Sequence, residues 1–452
     1  MAKHPTLLLL EDGLEAGLTP LALTRPSFEL RSGALNLRER AELVAPGRVR
    51  ARVRGELREL LRRTLPDLTE SIDPQERVLL LNARLRISVE DLAALSAGDD
   101  GSDCALREQA AEDAKNPSGG NWVAAWLSGA AASALKYEAQ PEFAGVKSKT
   151  VAHSLFTFPW DYLAANEEDL RRDFASIARH GAVPRRIFGV CFQESAPARA
   201  SLGESAFGDG SAAILYPGVH ILNDREVLFG AGATIKPGVV LDAEHGPILI
   251  GAGAVLHSNV SVQGPAYLGP GCVVHPMTRL REGVSIGALC KLGGEIEESL
   301  MLDLSNKQHD GFLGHGYLGS WVNLGADTNA SDLKNNYSTV RVDLGEGAME
   351  TNERFLGPIL GDHVRCAINT MFNTGSVVGV CSNVFGAGFP PRFMPNFSWG
   401  GSDGLSTYEL EKALATARIV LARRQVEWLS EYEDLLRRLH AMGEMTHGRP
   451  GN

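Results

Sequence analysis

The sequence predicts an N-terminal Rossmann-like α/β domain, then a left-handed parallel β-helix, then a C-terminal helix. Three observations carry this. Across residues 250–292 every sixth position is aliphatic: Ile250, Leu256, Val262, Leu268, Val274, Leu280, Ile286 and Leu292. Small residues recur between them, as in Ile250-Gly-Ala-Gly-Ala-Val and Leu268-Gly-Pro-Gly-Cys-Val. A period of six fits neither a helix nor an ordinary strand, but it fits hexapeptide coils that turn one side chain per hexad into a prism. Before this region, apolar runs at Thr6–Leu10 and 78–81 alternate with helical stretches, the pattern of an α/β layer with a mostly parallel sheet. After it, Leu410, Leu414, Ala417 and Leu421 mark one face of a helix.

The 452 residues suffice for two or three domains. The expected boundaries are 1–205 for the α/β domain, 213–400 for the β-helix and 402–446 for the helix. A net charge of −11 excludes a dedicated nucleic-acid binder. The six cysteines are scattered without a CxxC pair, which suits a reducing compartment. No secretion signal and no run of transmembrane length is expected, so the predicted location is the cytoplasm.

Thr6–Leu10 reads as a buried first strand, ended by Glu11-Asp12-Gly13. A helix follows Gly33. The seven arginines between Arg48 and Arg63 are expected on a helix, mostly facing water. Residues 78–81 form a second buried strand ending at Asn82-Ala83-Arg84. Residues 116–120 read as a loop, 124–135 as a small-residue helix and 196–210 as a linker. In the β-helix, Phe229, Ile235 and Leu241 keep the period upstream, before a break at 242–247. Phe312, Leu318 and Leu324 resume it downstream, as do Leu360, Cys366, Phe372, Val378 and Val384. Ser406 with Glu409 forms a capping box for the last helix, which packs on the prism or on a neighbouring chain.

The densest polar stretch, 305–337, interrupts the hexads with Asn, His, Lys and Asp. It contains His309-Asp-Gly-Phe312-Leu-Gly, then Val322-Asn323-Leu-Gly-Ala326-Asp327-Thr328, then Asn336-Tyr337. These segments resemble the acetyltransferase half of the bifunctional glucosamine-1-phosphate N-acetyltransferase/N-acetylglucosamine-1-phosphate uridyltransferase family (GlmU type). Over nearly its whole length the chain more closely resembles GlmU-like sugar nucleotidyltransferases, through LTPLALTRPSFELRSGALNLRERAE (18–42), FPWDYLAANEEDLRRDF (158–174) and CKLGGEIE with SNKQHDGFLGH (290–315). The resemblance implies a catalytic His309, sugar contacts from Asn336 and Tyr337, and an acetyl-CoA contact at Ala326. Phe312 stands where the family has Tyr, Asp327 stands where it has Gly, and the segment before Asn336 is longer.

The residues support the same chemistry. Acetyl transfer to a sugar amine needs a base near neutral pKa, for which His309 is suited, and donors for a tetrahedral oxyanion. The Asn323 amide or a backbone N–H near Ala326 are candidate donors. Arg279 or Arg281, Lys291 and Lys334 are candidates to hold a sugar phosphate. A zinc reading needs three convergent ligands. His257 and His275 are 18 apart and stack, and His309 and His315 are six apart. No third ligand has good spacing, so no metal site is expected in the β-helix.

A nucleotidyltransferase must neutralise a triphosphate and hold Mg²⁺ through carboxylates. The first half has no Gly-rich loop ending in Arg and no Walker loop. Asp12 is the candidate for the metal or a base, and Arg25 and Arg31 for bidentate phosphate contacts. The alternative for Arg25 and Arg31 is structural pairing with Glu29 or Glu39. Where the bifunctional family carries a metal-binding Asp, this chain has Asn82-Ala83-Arg84, with Asp161 as a substitute. The expected protein is a homotrimeric sugar-phosphate transferase with sites between neighbouring chains. Its expected ligands are acetyl-CoA, an amino-sugar 1-phosphate and, if the first half is active, an NTP with Mg²⁺. The rivals are a non-catalytic sugar-nucleotide-binding or scaffold protein and a metal-dependent hydratase.

Overall fold

A computed structural model describes residues 4–108, 121–135, 137, 141, 143, 146–181, 184–198, 202, 207–208 and 213–447. The chain divides into two compact units. The first comprises Met1–Leu18, Arg25–Arg31 and Leu35–Phe158, the second Thr19–Thr24, Ser32–Ala34 and Pro159–Asn452. Residues 116–120 and much of the expected linker lie outside the described residues. No helix among the described residues is long and apolar enough to cross a membrane.

In the first unit, β1 (Thr6–Leu10) is buried at all five positions, as its apolar run requires. Helix α1 (Leu37–Val44) starts at a capping box between Asn36 and Glu39. Strand β2 (Val49–Arg52) and helix α2 (Gly55–Thr64) follow, then β3 (Arg77–Asn82), a short β4 (Leu85–Arg86) and α3 (Val89–Ala97). Strands β5 (Cys104–Glu108) and β6 (Trp122–Ser128), helix α4 (Gly129–Ala134), β7 (Lys147–Val151) and β8 (Ser154–Leu155) complete the unit. The main sheet runs β2-β1-β3-β6-β5-β7. The pairs β1/β2, β1/β3 and β5/β7 are parallel, whereas β6 is antiparallel to both neighbours, so the sheet is mixed.

Two expectations hold only in part here. The arginine run is not one helix: Arg50 and Arg52 lie on β2, and α2 begins only at Gly55. The segment 124–135 is helix only in its second half: 124–128 belong to β6, where Trp122 to Leu127 are buried between β3 and β5, and α4 takes 129–134. Pairing on both sides overrides the helix propensity of its alanines.

The second unit is a parallel β-helix of three faces. Its first face reaches ten strands. The inward column there runs Phe229, Ile250, Leu268, Ile286, Met301, Leu318, Leu360, Val378 and Met394. The second face carries Ile235, Leu256, Val274, Leu292 and Lys307, continuing through Leu324, Cys366 and Val384. The third carries Leu241, Val262, Leu280, Ile296, Leu313, Ala330 and Phe372. The hexad reading therefore holds at every expected position but one. The small residues after the first face are required by stacking: a Cβ on Gly269 would lie 2.6 Å from the Gly287 carbonyl carbon.

The exception is Phe312, which faces outward while Leu313 points in. The period contracts after Leu292, since Gly293-Gly294 turns a short corner to Ile296, with Gly294 at φ +74°. The step from Leu313 to Leu318 is five residues rather than six, which turns Leu313 and not Phe312 inward. After Ala330 the chain leaves the third face, forms a hairpin between Arg341–Asp343 and Ala348–Glu350, and returns at Ile359–Leu360.

Helix α5 (Pro159–His180) packs on the first face. Its polar side holds residues 32–34. Asn166 Oδ1 accepts from Gly33 N at 2.9 Å, Asp169 Oδ2 accepts from Ser32 Oγ at 2.7 Å, and Asp173 Oδ2 accepts from Ala34 N at 2.9 Å. Asp161 lies in its first turn.

The capping box expected at Ser406 is absent: Ser406 belongs to a terminal hairpin and donates to Trp399 O at 3.2 Å. In place of one C-terminal helix there are two, α6 (Leu410–Arg423) and α7 (Ser430–His447), separated at Gln425, which has φ 55°. Leu414, Ala417 and Leu421 are buried, as their spacing predicts.

Lys307 occupies an aliphatic column and is 1 % exposed. Its Nζ donates to Gly293 O and His309 O, each at 3.0 Å. Burial lowers its pKa from 10.5 to about 8. Below about pH 8 both folded and unfolded states are protonated and the burial penalty is complete. Between about 8 and 10.5 the unfolded chain holds the proton and the folded one does not, so stability rises with pH. At about 1.4 kcal/mol per pH unit, the rise is roughly 3 kcal/mol. Denaturant titrations of wild type and Lys307→Met should therefore converge or cross as pH climbs from 7.5 to 10.5; parallel curves would show that Lys307 is not buried as a cation.

Candidate functional site

The outward row of the second face changes character along the prism. Val255 and Val273 are followed by Lys291, Asn306, Asn323, Arg365, Asn383 and Trp399, each stacked on the last. The C-terminal end of α6 adjoins this row, where Arg424 Nη2 donates to Asn306 Oδ1 at 3.0 Å. Burial, then Arg424 and Arg423, lowers the Lys291 pKa.

His309 lies on the edge that follows this face, exposed, its carbonyl held by Lys307. Ala326 is on the same edge one coil further, where its carbonyl accepts from Asn369 N at 2.8 Å, and Asp327 N donates to Asp310 O at 3.1 Å. His257 and His275 stack with centroids 6.2 Å apart. The His275 pKa is lowered by burial first, then by His257, Lys291 and His309. Four of the sequence candidates, Lys291, His309, Asn323 and Ala326, thus share one face and its edge.

The other candidates lie elsewhere. Arg279 and Arg281 project from the third face. Arg279 pairs with Glu295 at 2.7 Å and Arg281 with Glu297. Lys334, Asn336 and Tyr337 form a turn in the insertion that leaves the third face. There Lys334 Nζ donates to Thr339 O at 2.6 Å, and Tyr337 is 66 % exposed. Within one chain these residues are on a different edge from His309.

That edge has chemistry of its own. His315 Nδ1 is 2.8 Å from Asp332 Oδ2, and the ring stacks on Phe355 at 5.2 Å. A cleft of about 560 Å³ is lined by Glu167, Glu298, His315, Arg354 and Phe355, among others. Burial first, and then Glu167, raises the Glu298 pKa to about 8. Glu297, His315 and Asp332 each offer a ligand atom within 4.8 Å of the others. A cation there would have to displace Arg281 from Glu297. Sequence reasoning found His315 but not its partner, because both stand two residues past an inward position, Leu313 and Ala330, where the period assigns no side chain.

In the first unit β1 lies between β2 and β3, so the chain reverses direction across the sheet at β1. Ligands of open α/β sheets bind at such reversals, beyond the carboxyl ends of the strands. Asp12 and Asn82 stand there, but the place is closed. Arg84 Nε and Nη2 donate to Asp12 Oδ1 and Oδ2 at 3.1 and 2.6 Å, and Asn82 Nδ2 donates to Oδ2 at 3.0 Å. Burial raises the Asp12 pKa, but the Arg84 bonds and charge bring it below the ordinary value. Glu11 is buried against Arg54, and burial lifts its pKa to about 7. Glu15 accepts from the amides of Asp12 and Gly13. A divalent cation does not fit these residues: each carboxylate already holds donors, and Arg84 supplies the positive charge. Arg31 is 1 % exposed and pairs with Glu39 at 3.5 Å, the structural pairing weighed above. Arg25 is buried, and its carbonyl accepts from Arg54 Nη2 at 3.0 Å.

Residues 7–181 match a family model described as sugar nucleotidyl transferase. Among curated proteins, the bifunctional protein GlmU of Acaryochloris marina is 32 % identical over 122 residues, 26 % of this chain and 25 % of that protein. A bifunctional sugar-1-phosphate nucleotidylyltransferase/acetyltransferase of Sulfurisphaera tokodaii is 29 % identical over 110 residues, 24 % of this chain and 26 % of that protein. The chain therefore spans about a quarter of the length of these relatives. Among solved structures, the UDP-N-acetylglucosamine acyltransferase of Francisella novicida matches with TM-score 0.28 and 11 % identity, covering 52 % of this chain and 87 % of that one. The similarity to sugar nucleotidyl transferases thus rests on residues 7–181, and that to the two bifunctional proteins on about a quarter of the chain.

The buried Asp12–Arg84 pair gives a stability test. Arg84→Met strands a buried carboxylate and should cost about 3–5 kcal/mol in urea denaturation, whereas adding Asp12→Asn should recover most of that loss. Equal losses in the single and double variants would show that the pair is not coupled.

Proposed function

We propose that this protein is a sugar-phosphate transferase whose β-helix moves an acetyl group from acetyl-CoA to the amine of an amino-sugar 1-phosphate. The observation that carries this reading is the exposed His309 on the same edge as Ala326, beside a face lined with Lys291 and Asn323. His309 takes the proton as the amine nitrogen attacks the thioester carbonyl. The oxyanion is met by the Asn323 amide or a backbone N–H near Ala326, and the C–S bond then breaks, with CoA leaving as the thiol. The residues on the other edge (Arg279, Arg281, Lys334, Asn336 and Tyr337) would reach this site from a neighbouring chain, which is the reason to propose a homotrimer. The proposed location is the cytoplasm.

For the N-terminal domain we propose sugar-nucleotide binding, with Asp12, Arg25 and Arg31 building the floor of the crevice. The Asp12–Arg84 pair favours binding over Mg²⁺-dependent nucleotidyl transfer.

Release of free CoA from acetyl-CoA and a panel of amino-sugar 1-phosphates should fall about 10²–10⁴-fold in His309→Ala, with acetyl-CoA binding kept. Unchanged turnover would remove His309 from the mechanism. Mixing His309→Ala with Asn336→Ala chains should restore part of the activity if sites are shared between chains, and a monomer by light scattering would end that proposal. Pyrophosphate release with Mg²⁺ and any NTP should stay at background; sustained release would overturn the binding-only reading of the first domain.

A further inference from the structure

Four cations gather where the second face of the β-helix meets α6: Lys291, Arg365, Arg423 and Arg424. Elsewhere on this unit arginines find carboxylates, as Arg279 does with Glu295, Arg281 with Glu297, and Arg418 and Arg437 with Glu433. Among the described residues none of these four has an ion pair. Arg424 spends its hydrogen bond on the neutral Asn306 amide. Arg365 has an Nη2 that is fully buried and without a hydrogen-bond partner. Its electrostatic neighbours are the Cys381 thiol, the Tyr408 hydroxyl and a second cation, Arg423. Burial first lowers the pKa of Lys291, Arg365 and Arg424, and Arg423 lowers each further. The row they stand in is otherwise amide: Asn306 and Asn323 lie between Lys291 and Arg365, and Asn383 lies beyond. The place at the C-terminal end of α6 offsets part of the repulsion, but it leaves the buried Nη2 unmet.

We infer that this cluster is a phosphate-binding site, in which a phosphate monoester dianion sits between Lys291, Arg365 and the Arg423–Arg424 pair, with the Asn306 and Asn323 amides beside it. Orphan guanidinium hydrogens and mutually repelling cations are both relieved by one multivalent oxyanion, and the planar fork of arginine matches phosphate oxygens. Of the four cations only Lys291 stands out in the sequence. The others come from a hexad neighbour of Cys366 and from a helix more than a hundred residues away along the chain from Lys291. Two sources present this chemistry: the phosphate of an amino-sugar phosphate, and the ribose phosphate of CoA. The site shares Lys291 and Asn323 with the proposed acyl-transfer site and rests on that reading for its two ligand sources, but phosphate binding itself does not require His309.

The test is calorimetric titration of the full-length protein at constant ionic strength with inorganic phosphate, glucosamine 1-phosphate, CoA and dephospho-CoA, alongside thermal melts. Phosphate should raise the melting temperature above the value in matched chloride. Arg365→Gln and Arg424→Gln should each weaken binding at least tenfold, and Lys291→Met, on a more exposed residue, should do so without risk to the fold. In phosphate-free buffer Arg365→Gln should melt no lower than wild type, because it removes a repelled buried cation. His309→Ala should keep full phosphate binding, so failure of the acyl-transfer reading would leave this result untouched. CoA binding much tighter than dephospho-CoA would assign the site to the donor. Equal CoA and dephospho-CoA affinity with tight glucosamine 1-phosphate binding would assign it to the acceptor. No phosphate effect beyond chloride, or unchanged affinity in the Arg365→Gln/Arg424→Gln double variant, would overturn the inference.

Discussion

Coil-on-coil stacking is the constraint on which the β-helix and its chemistry depend. Each inward side chain is covered by the one a coil above, and each tight corner must admit the backbone of the next coil, as Gly251, Gly269 and Gly287 do in succession. The packing therefore fixes one residue in six and a few glycines, and it leaves the outward rows free. The polar row from Lys291 to Asn383 lies on that free surface, held in order by a core that takes no part in its chemistry.

What could be read from the sequence follows from this division. Inward columns repeat, so Ile250 to Leu292 and Leu360 to Val384 announced themselves by period alone. Phe312 was misplaced by one residue because the step from Leu313 to Leu318 is five residues, and a period says nothing about its own interruptions. Tertiary pairing turned residues 122–128 into strand, against the local alanine content. His309, Asn323 and Ala326 were legible as a motif and do share an edge. Arg365 and Arg424 were not, because their meaning lies in having no carboxylate nearby, and sequence records which residues are present rather than which are adjacent.

The two units treat buried charge in opposite ways. In the first, Asp12 with Arg84, Glu11 with Arg54, and Arg31 with Glu39 are neutralised within the domain. A buried pair of this kind resists opening, since removing one partner exposes the full desolvation cost of the other. The crevice at the β1 reversal is thus electrostatically complete within the domain. On the β-helix face the cations are left uncompensated, and compensation has to come from outside.

Lys307 joins the core to the site. It occupies a column position where every other coil places an uncharged side chain, and it buries a charge that lowers its own pKa. The hydrogen bonds it makes in return tie Gly293 O to His309 O, and so tie the short glycine corner to the histidine one coil on. A leucine there would fill the same space and leave both carbonyls unheld. The residue that departs from the aliphatic pattern is therefore the one that fixes the position of the candidate base. Its cost in burial is set against the orientation of an exposed turn that apolar packing alone could not hold.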